Sequence, residues 1–318
     1  MTFGHRERTG PEGSVTLLKT SMRYFLAVVQ HGSIRAAAEA LLINQSAISR
    51  QIQSLEDEYE TPLFERHARG VRLTPAGELL FSAIRDIGFT SDRARSEINA
   101  LQGLRRGHIK MHVIESMIQH VIPSVVEKFH DQFPGVNFEV IMTGSDAVVT
   151  AVRNGECDFG ITLGNHSHPG VTTMFSIECR LTAIMRPDHA LASQRNLSVG
   201  NLVTWPVGVA TRPTGTRQLF DDACRARGVE IIPKIETNSV ELLHQFALME
   251  DAVVVTSDLM FAASIRAGKL VKRPLADTEL NNGSFEVLVM TGRKPTVAAE
   301  RFMMMLTREL ERPTGDRE

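Results

Sequence analysis

The sequence has 318 residues, with 35 basic and 37 acidic side chains, a formal net charge of −2 and an apolar fraction of 42%. This length and composition are ordinary for a globular protein of two domains, and the charge balance excludes a uniformly basic nucleic-acid packing protein. The cysteines, at positions 157, 179 and 224, lack metal-ligand or CxxC spacing and indicate buried thiols in a reducing compartment. Since the sequence shows neither a signal peptide nor a membrane-length apolar run, we expect a cytoplasmic protein without a membrane partner.

The polar residues 1–16 predict a disordered tail, and helical periodicity begins after them. Apolar side chains at helical spacing then predict a first helix that ends at Gly32. Ser33 is suited to cap a second helix over residues 34–42, whose small residues allow close packing. The residues of this helix expected to face inward are Ala37, Ala38 and Leu41.

A third helix is predicted from Gln45 to about Glu58, with its apolar residues on one face. The opposite face carries hydroxyl, amide and guanidinium groups, which read base edges in a major groove and hold phosphates. An ordinary solvated face is the alternative, but two short helices, a tight turn and this helix together make a helix-turn-helix. The candidate DNA-binding residues of this unit are Ser33, Gln45, Ser46, Ser49, Arg50 and Gln53.

Two short strand candidates around a turn at residues 68–70 predict a β-hairpin wing. Three arginines lie near its tip and Glu65 is the only acidic residue beside them, which is typical of a phosphate-binding patch. These further candidate DNA-binding residues are Arg66, Arg69 and Arg72. Thr74 and Pro75 then begin a long helix, as its N-cap and its first residue.

The long helix, over residues 76–104, carries a heptad seam that predicts a dimerising linker. Packing of the same face onto its own domain is the alternative interpretation. The seam consists of Leu80, Ile84, Ile87, Ser91, Ala94, Ile98 and Leu101. Gly103 and Gly107 end the helix and indicate a hinge into a second domain.

From residue 105 onwards, strand and helix patterns alternate, which predicts an α/β region with a parallel sheet, as one domain or two small lobes. Strands are expected at 109–113, 137–142, 159–163, 181–186, 207–210, 234–237, 252–256, 270–273 and 285–290. Helices are expected at 117–133, 145–154, 216–227, 240–249 and 295–311.

Residues 17–75 resemble the winged helix-turn-helix domain of the LysR-type transcriptional regulators. The motifs that carry this resemblance are Phe25, Gly32-Ser33, Ala37-Ala38, Leu41, the run from Gln45 to Ile52, Leu55-Glu56, Leu63-Phe64-Glu65-Arg66 and Leu73-Thr74-Pro75-Ala76-Gly77. Residues 105–292 are similar to the same family's effector domain, on motifs that include Gly144-Ser145, Gly155-Glu156-Cys157-Asp158 and Thr214-Gly215-Thr216-Arg217, and they predict an effector-binding domain over residues 105–318. Glu60 departs from the family, which usually has glycine there, and residues 248–252 replace a usual Gly-x-Gly segment.

The resemblance implies a type 2 periplasmic-binding-protein fold for the second domain, with two α/β lobes that close on a small ligand. Helix N-termini facing such a cleft favour anions, so the expected effector is a small organic anion. The candidate effector-binding residues are Ser116, Gly144, Ser145, Arg212, Thr214 and Asn238.

The sequence therefore predicts a ligand-responsive transcription regulator that binds double-stranded DNA at a partly palindromic operator. The resemblance implies a homodimer or homotetramer, and RNA polymerase is a further candidate partner. A solute-binding protein without a regulatory role is the alternative, but it would not explain the arginine-rich wing. The pairs His108/His112 and His166/His168 are spaced for metal contact, but no clustered cysteine or carboxylate completes a site. Because the sequence also has no Walker A, GxGxxG or GxSxG motif, we expect no catalysis, cofactor or metal.

Overall fold

The computed structural model describes residues 18–67, 70–101, 103–119, 121–164 and 168–311. The chain divides into two compact units, Met1–Ile98 and Asn99–Glu318. The predicted tail over residues 1–16 and Arg69 of the predicted wing lie outside the described residues. Within the described ranges, no helix has the length and apolar character needed to cross a membrane.

The first unit is a winged helix-turn-helix followed by a long helix. Its elements are α1 (Thr20–His31), α2 (Ile34–Leu41), α3 (Gln45–Glu58), β1 (Phe64–His67), β2 (Gly70–Leu73) and α4 (Pro75–Leu101). The strands pair antiparallel, with Phe64 opposite Leu73. Buried side chains from all three short helices, Leu63 and the start of α4 form the core of this unit, and they include Phe25, Ala37, Ile48, Leu55 and Ile84.

The predicted helix caps are confirmed in this unit. Ser33 Oγ accepts a hydrogen bond from the backbone N–H of Ala36, with an O–N distance of 3.0 Å. Thr74 Oγ1 does the same for Gly77 at 3.0 Å, immediately before Pro75 begins α4. The expectation that Leu41 faces inward is wrong, because α2 ends there and the left-handed residue Leu42 turns the chain away, which leaves Leu41 exposed.

The second unit contains two lobes, each built on a five-stranded sheet. The first sheet has the order β4-β3-β5-β12-β6 and the second β11-β7-β10-β8-β9. The strands are β3 (Gly107–Val113), β4 (Val136–Met142), β5 (Phe159–Gly164), β6 (Val171–Cys179), β7 (Leu181–Met185), β8 (Val207–Ala210), β9 (Ile235–Thr237), β10 (Val253–Ser257), β11 (Val271–Pro274) and β12 (Gly283–Met290). The helices are α5 (Glu115–Ile118), α6 (Val121–Gln132), α7 (Ser145–Arg153), α8 (Gly215–Arg227), α9 (Val240–Ala247), α10 (Ala262–Arg266) and α11 (Val297–Glu311).

The expectation of a parallel sheet is wrong, because both sheets are mixed. Strand β3 lies parallel to β4 and β5, whereas β12 lies antiparallel to β5 and β6. In the second lobe, β7 lies antiparallel to β10 and β11. The chain passes through the second lobe before it re-enters the first sheet as β12. No helical crossover therefore links β12 to its neighbour β5, and the two strands need not be parallel.

Two further differences from the predicted elements have local causes. The helix expected over residues 117–133 is divided into α5 and α6. A continuous helix would bring the ring of Pro123 against the carbonyl of Gln119 four residues earlier, which favours a break at that point. Strand β6 was not predicted, because it is an edge strand with many exposed polar residues and little apolar alternation.

Candidate DNA-binding surface and ligand cleft

Helix α3 has one buried and one exposed face, as its sequence pattern predicted. Its apolar residues Ile48, Ile52 and Leu55 are buried in the core of the first unit. The polar candidates lie on the other side of the helix. Gln45, Ser46, Arg50 and Gln53 are exposed, and Ser49 is half-buried.

The polar side chains of α3 make hydrogen bonds within their own helix. Arg50 Nε donates a hydrogen bond to the backbone oxygen of Ser46 at 3.3 Å, within the same helix. Gln53 Nε2 donates to Asp57 Oδ1 at 3.0 Å on the exposed surface. Ser33 differs from the other candidates because its hydroxyl caps α2, so its first role is structural.

The wing is attached to the turn that precedes α2. The backbone N–H of Val71 donates to the carbonyl of Gly32 at 2.9 Å. A Cβ atom at Gly70 would lie 2.3 Å from that same carbonyl oxygen, so this close approach requires glycine. Arg72 is exposed on β2 opposite Glu65. Arg66 belongs to β1, but its side chain, like Arg69 as a whole, lies outside what the structure describes.

Glu56 connects α3 to the wing, a role that sequence reasoning missed. Its Oε1 accepts hydrogen bonds from the backbone N–H groups of Leu63, at 2.8 Å, and Phe64, at 3.3 Å. These residues begin the path into β1, so Glu56 fixes the end of α3 relative to the hairpin. The available sequence signal was the Leu55-Glu56 pair, which the resemblance had already singled out.

A cleft pocket of about 480 Å³ lies between the two lobes of the second unit. Its wall includes the N-terminal turn of α7, the end of β5, and the loop and first turns of α8. Of the predicted effector-binding residues, the structure places Ser145, Arg212 and Thr214 on this wall. The other three, Ser116, Gly144 and Asn238, are not among its lining residues.

The two arginines that line the pocket, Arg212 and Arg225, are paired with Asp221 and Asp222 of the same chain. Arg212 binds Asp221 Oδ2 through Nε at 2.8 Å and Nη2 at 2.6 Å. The buried guanidinium of Arg217 lies 2.8 Å from both Asp221 and Glu236. Burial lowers the pKa of Arg217, but the hydrogen bonds from Glu236 and Asp221 outweigh it and the pKa is raised. The guanidinium of Arg212 is therefore not free to bind a ligand carboxylate, because it is already paired with Asp221.

Two threonine hydroxyls of the pocket have different roles. Thr214 Oγ1 donates to the carbonyl of Thr211 at 2.8 Å and accepts from the N–H of Arg217 at 3.3 Å, so it caps α8. Thr162, which sequence reasoning missed, is 1% exposed and lines the pocket. Its Oγ1 has no hydrogen-bond partner among the described residues. A buried hydroxyl without a partner is costly, and it marks a position for a polar ligand atom or a water molecule.

A hydrogen bond joins the two lobes near the remaining candidates, Ser116 and Asn238. Glu115, the first residue of α5, accepts a hydrogen bond through Oε1 from the backbone N–H of Val240 at 2.9 Å. Ser116 is 4% exposed, and its Oγ has no partner within the described part of the chain. Asn238 is exposed, two residues before the start of α9.

Comparison with protein families supports a regulator built from these two units. Residues 20–78 match the bacterial regulatory helix-turn-helix domain of the lysR family, and residues 102–311 match the LysR substrate-binding domain. The fold and the sites thus define a transcriptional regulator with a helix-turn-helix DNA-binding domain and a substrate-binding domain. The chain belongs to the LysR family of these regulators.

Named relatives of this chain are transcriptional regulators. The uncharacterized HTH-type transcriptional regulator YdcI of Escherichia coli is 30% identical over 257 residues, which are 79% of this chain and 82% of the relative. A RuBisCO operon transcriptional regulator from Acidithiobacillus ferrooxidans is 27% identical over 249 residues, 78% of this chain and 80% of that protein.

Solved structures confirm the predicted fold class. A full-length OxyR variant from Pseudomonas aeruginosa has a TM-score of 0.65 at 18% identity, over 91% of this chain and 93% of that chain. Full-length CbnR, solved in complex with its target DNA, has a TM-score of 0.57 at 19% identity, over 91% of this chain and 98% of that chain.

Proposed function

We propose that this regulator binds a specific operator through α3 and the wing, and that a small molecule in the cleft controls its effect on transcription. The observation that carries the DNA-binding part is the exposed polar face of α3. That face presents Gln45, Ser46, Arg50 and Gln53, while the opposite face fixes the helix in the core. Amide and guanidinium groups on such a helix suit bidentate contacts to adenine and guanine.

We propose that α4 dimerises the chain. The first residues of the seam pack within their own unit, where Leu80 and Ile84 are buried in the core. Further along, Ile87 is 44% exposed and Ile98 is 59% exposed. Apolar residues at heptad spacing that remain exposed in one chain favour a partner helix. A dimer presents two recognition helices, which accounts for a partly palindromic operator, and two dimers would form a homotetramer.

We propose that the effector is a small organic anion. The N-terminal turns of α7 and α8 form part of the pocket wall, and helix N-termini favour anions. Asp146 adds a negative charge to the pocket wall, so repulsion favours an effector with a single acidic group.

The operator proposal is tested by selecting genomic DNA fragments with the full-length chain at physiological salt. We expect recovery of a small set of fragments that share a partly palindromic sequence. Recovery of unrelated fragments, or of none, would favour the alternative of a solute-binding protein. The same selection repeated with Arg50→Ala is expected to lose the shared sequence. Arg180→Ala removes an exposed arginine of the second unit and should leave the selection unchanged.

The effector proposal is tested by thermal-shift screening of small monocarboxylates against their neutral amides. We expect at least one acid to raise the Tm of the full chain, with no response to the matching amide. Thr162→Val removes the buried hydroxyl with little change in volume and should reduce that response. Thr182→Val is the matched control, because its Oγ1 also lacks a partner among the described residues but does not line the pocket. Equal responses to acids and amides would contradict the anionic effector.

A further inference from the structure

His112 is a buried histidine in the first sheet of the second unit. It belongs to β3, which lies between β4 and β5, and it is 7% exposed. Its strand neighbours Met111 and Val113 lie in the large core on one side of the sheet. Because side chains alternate along a strand, the imidazole of His112 lies on the other side of the sheet.

Helix α7 packs on that other side. Gly160 of β5 stands directly opposite His112 in the register of the two strands. A Cβ atom at Gly160 would lie 2.6 Å from side-chain carbons of both Val148 and Val152, so α7 contacts the sheet closely here. These two valines belong to a small apolar cluster that also contains Cys157. The His112 ring therefore lies beside the contact between α7 and the sheet.

The ring has no hydrogen-bond partner at either nitrogen within the described part of the chain. A neutral imidazole leaves one N–H donor unpaired there, whereas an imidazolium would leave two donors and a charge. Burying an unpaired charge costs far more than burying an unpaired neutral group. Burial, and to a smaller extent Lys110, lowers the pKa of His112, while Glu156 and Glu139 oppose this with weaker effects. The packed protein thus favours the neutral ring.

The charged and titratable groups around this part of the sheet do not neutralise an imidazolium at position 112. Glu139 of β4 lies 2.9 Å from Lys110 Nζ and 3.5 Å from His108 Nε2, so it is already paired. The Cys157 thiol lies against the backbone of His112, and burial raises the pKa of Cys157 to about 12, so it stays neutral. The remaining groups are the exposed Asp146 and Arg153 of α7, Glu156 and Asp158 after α7, Glu286 of β12, and Arg293.

We propose that His112 is an acid-sensing residue, whose protonation loosens α7 from the sheet. Below the ordinary histidine pKa of ~6.5, a locally opened chain binds the proton more readily than the packed one, so the packing weakens as the pH falls. Helix α7 supplies Ser145, Asp146 and Val149 to the pocket wall. Acid therefore alters the pocket, and only the consequence for the effector rests on the proposed function.

The test measures hydrogen exchange of the α7 amides in the full-length chain at pH 7.5 and pH 5.5, corrected for the intrinsic effect of pH. Helix α11, which packs on the opposite side of the same sheet and contains no histidine, is the internal reference. If opening exposes a ring of ordinary pKa, the opening equilibrium rises ~10-fold at one unit below that pKa. We expect α7 to lose ~10-fold protection relative to α11 at pH 5.5. His112→Gln cannot be protonated in this range and should protect α7 equally at both pH values.

His108→Gln is the matched control, because His108 lies on the same strand but is paired with Glu139 at the surface. It should keep the wild-type response of α7 to pH. Equal protection of wild-type α7 at both pH values would overturn the proposal, as would a response that persists in His112→Gln or disappears in His108→Gln. If His112→Gln does not fold, His112→Leu removes the titrating ring and suits the apolar surroundings. A response that persists in that variant would equally overturn the proposal.

Operator binding of the same samples at pH 7.5 separates this inference from the proposed function. Normal operator binding without an α7 response rejects the acid-sensing residue and leaves the regulator intact. An α7 response in a chain that binds no operator supports the acid-sensing residue and rejects the proposed DNA-binding function.

Discussion

The carboxylate of Glu56 accepts a hydrogen bond from the backbone N–H of Leu63, with an O–N distance of 2.8 Å. Because Leu63 precedes the wing and Glu56 lies near the end of α3, this bond connects the end of α3 to the start of the wing. The same oxygen accepts from the backbone N–H of Phe64, so one side chain provides an acceptor for two backbone donors. The position of the wing relative to α3 therefore depends in part on the Glu56 carboxylate.

Glu56→Ala should destabilise the first unit, because two partly buried N–H groups lose their acceptor. We expect the free energy of unfolding to fall by ~1–3 kcal/mol, measured by urea denaturation of the full chain. Glu58→Ala is the control, since Glu58 makes an exposed ion pair with Lys19, a type of contact that contributes little to stability. Equal losses of unfolding free energy in the two variants would show that the Glu56 hydrogen bonds stabilise the protein no more than an exposed ion pair does.

Glu60→Gly should stabilise the protein. Glu60 has a φ of +51°, a left-handed conformation that costs a side-chain-bearing residue ~1–2 kcal/mol and costs glycine little. Part of this gain is lost to the greater freedom of glycine in the unfolded chain, so we expect a net gain of ~0.5–1 kcal/mol. Glu60→Ala removes the same side chain but keeps the conformational cost, and it should show no such gain. A lower Tm for Glu60→Gly than for Glu60→Ala would contradict this explanation.

Ile87→Asp should weaken self-association. The substitution places a charge at a seam position that is exposed in one chain and buried if two α4 helices pair. Sedimentation velocity should show a smaller assembly than that of the wild type. Leu79→Asp introduces the same charge at an exposed position of α4 outside the seam and should not change the assembly. If both variants associate normally, the exposed half of the seam is not the dimer contact.

The cysteine thiols should be unreactive in the native protein. Burial raises the pKa of Cys157 and of Cys179 to about 12, and that of Cys224 to about 11. Since the thiolate is the reactive form, almost none is present at pH 8. We expect a coloured disulfide reagent to label the folded chain far more slowly than the urea-unfolded chain. Rapid labelling of any native thiol at pH 8 would show that the second unit opens readily.

The elements that the sequence predicted well are those set by local chemistry. The caps at Ser33 and Thr74, and the apolar face of α3, depend on residues a few positions apart. Glu60, where the resemblance places glycine, has the left-handed conformation that glycine adopts at little cost. In each case the interacting groups are close in the sequence, so a periodic pattern or a short motif contains the necessary information.

The features that were missed depend on long-range geometry. The antiparallel direction of β12 follows from the return of the chain between lobes, which no local pattern records. The Glu115–Val240 contact joins residues 125 positions apart. Arg212, predicted to bind the effector, lies on the pocket wall, but its pairing with Asp221 of α8 was not predicted.

The central claim is that α3 contacts the bases of an operator while the wing contacts the DNA phosphates. Salt titrations of operator binding test this claim most directly. Arg50→Ala, compared on the selected operator and on a scrambled duplex, should lose ~1–3 kcal/mol of discrimination. Arg72→Ala should weaken binding to both duplexes alike and reduce the slope of log K against log salt by ~0.9, as for one lost phosphate contact. If both variants keep the wild-type affinity, discrimination and salt slope, α3 and the wing are not the DNA-binding surface.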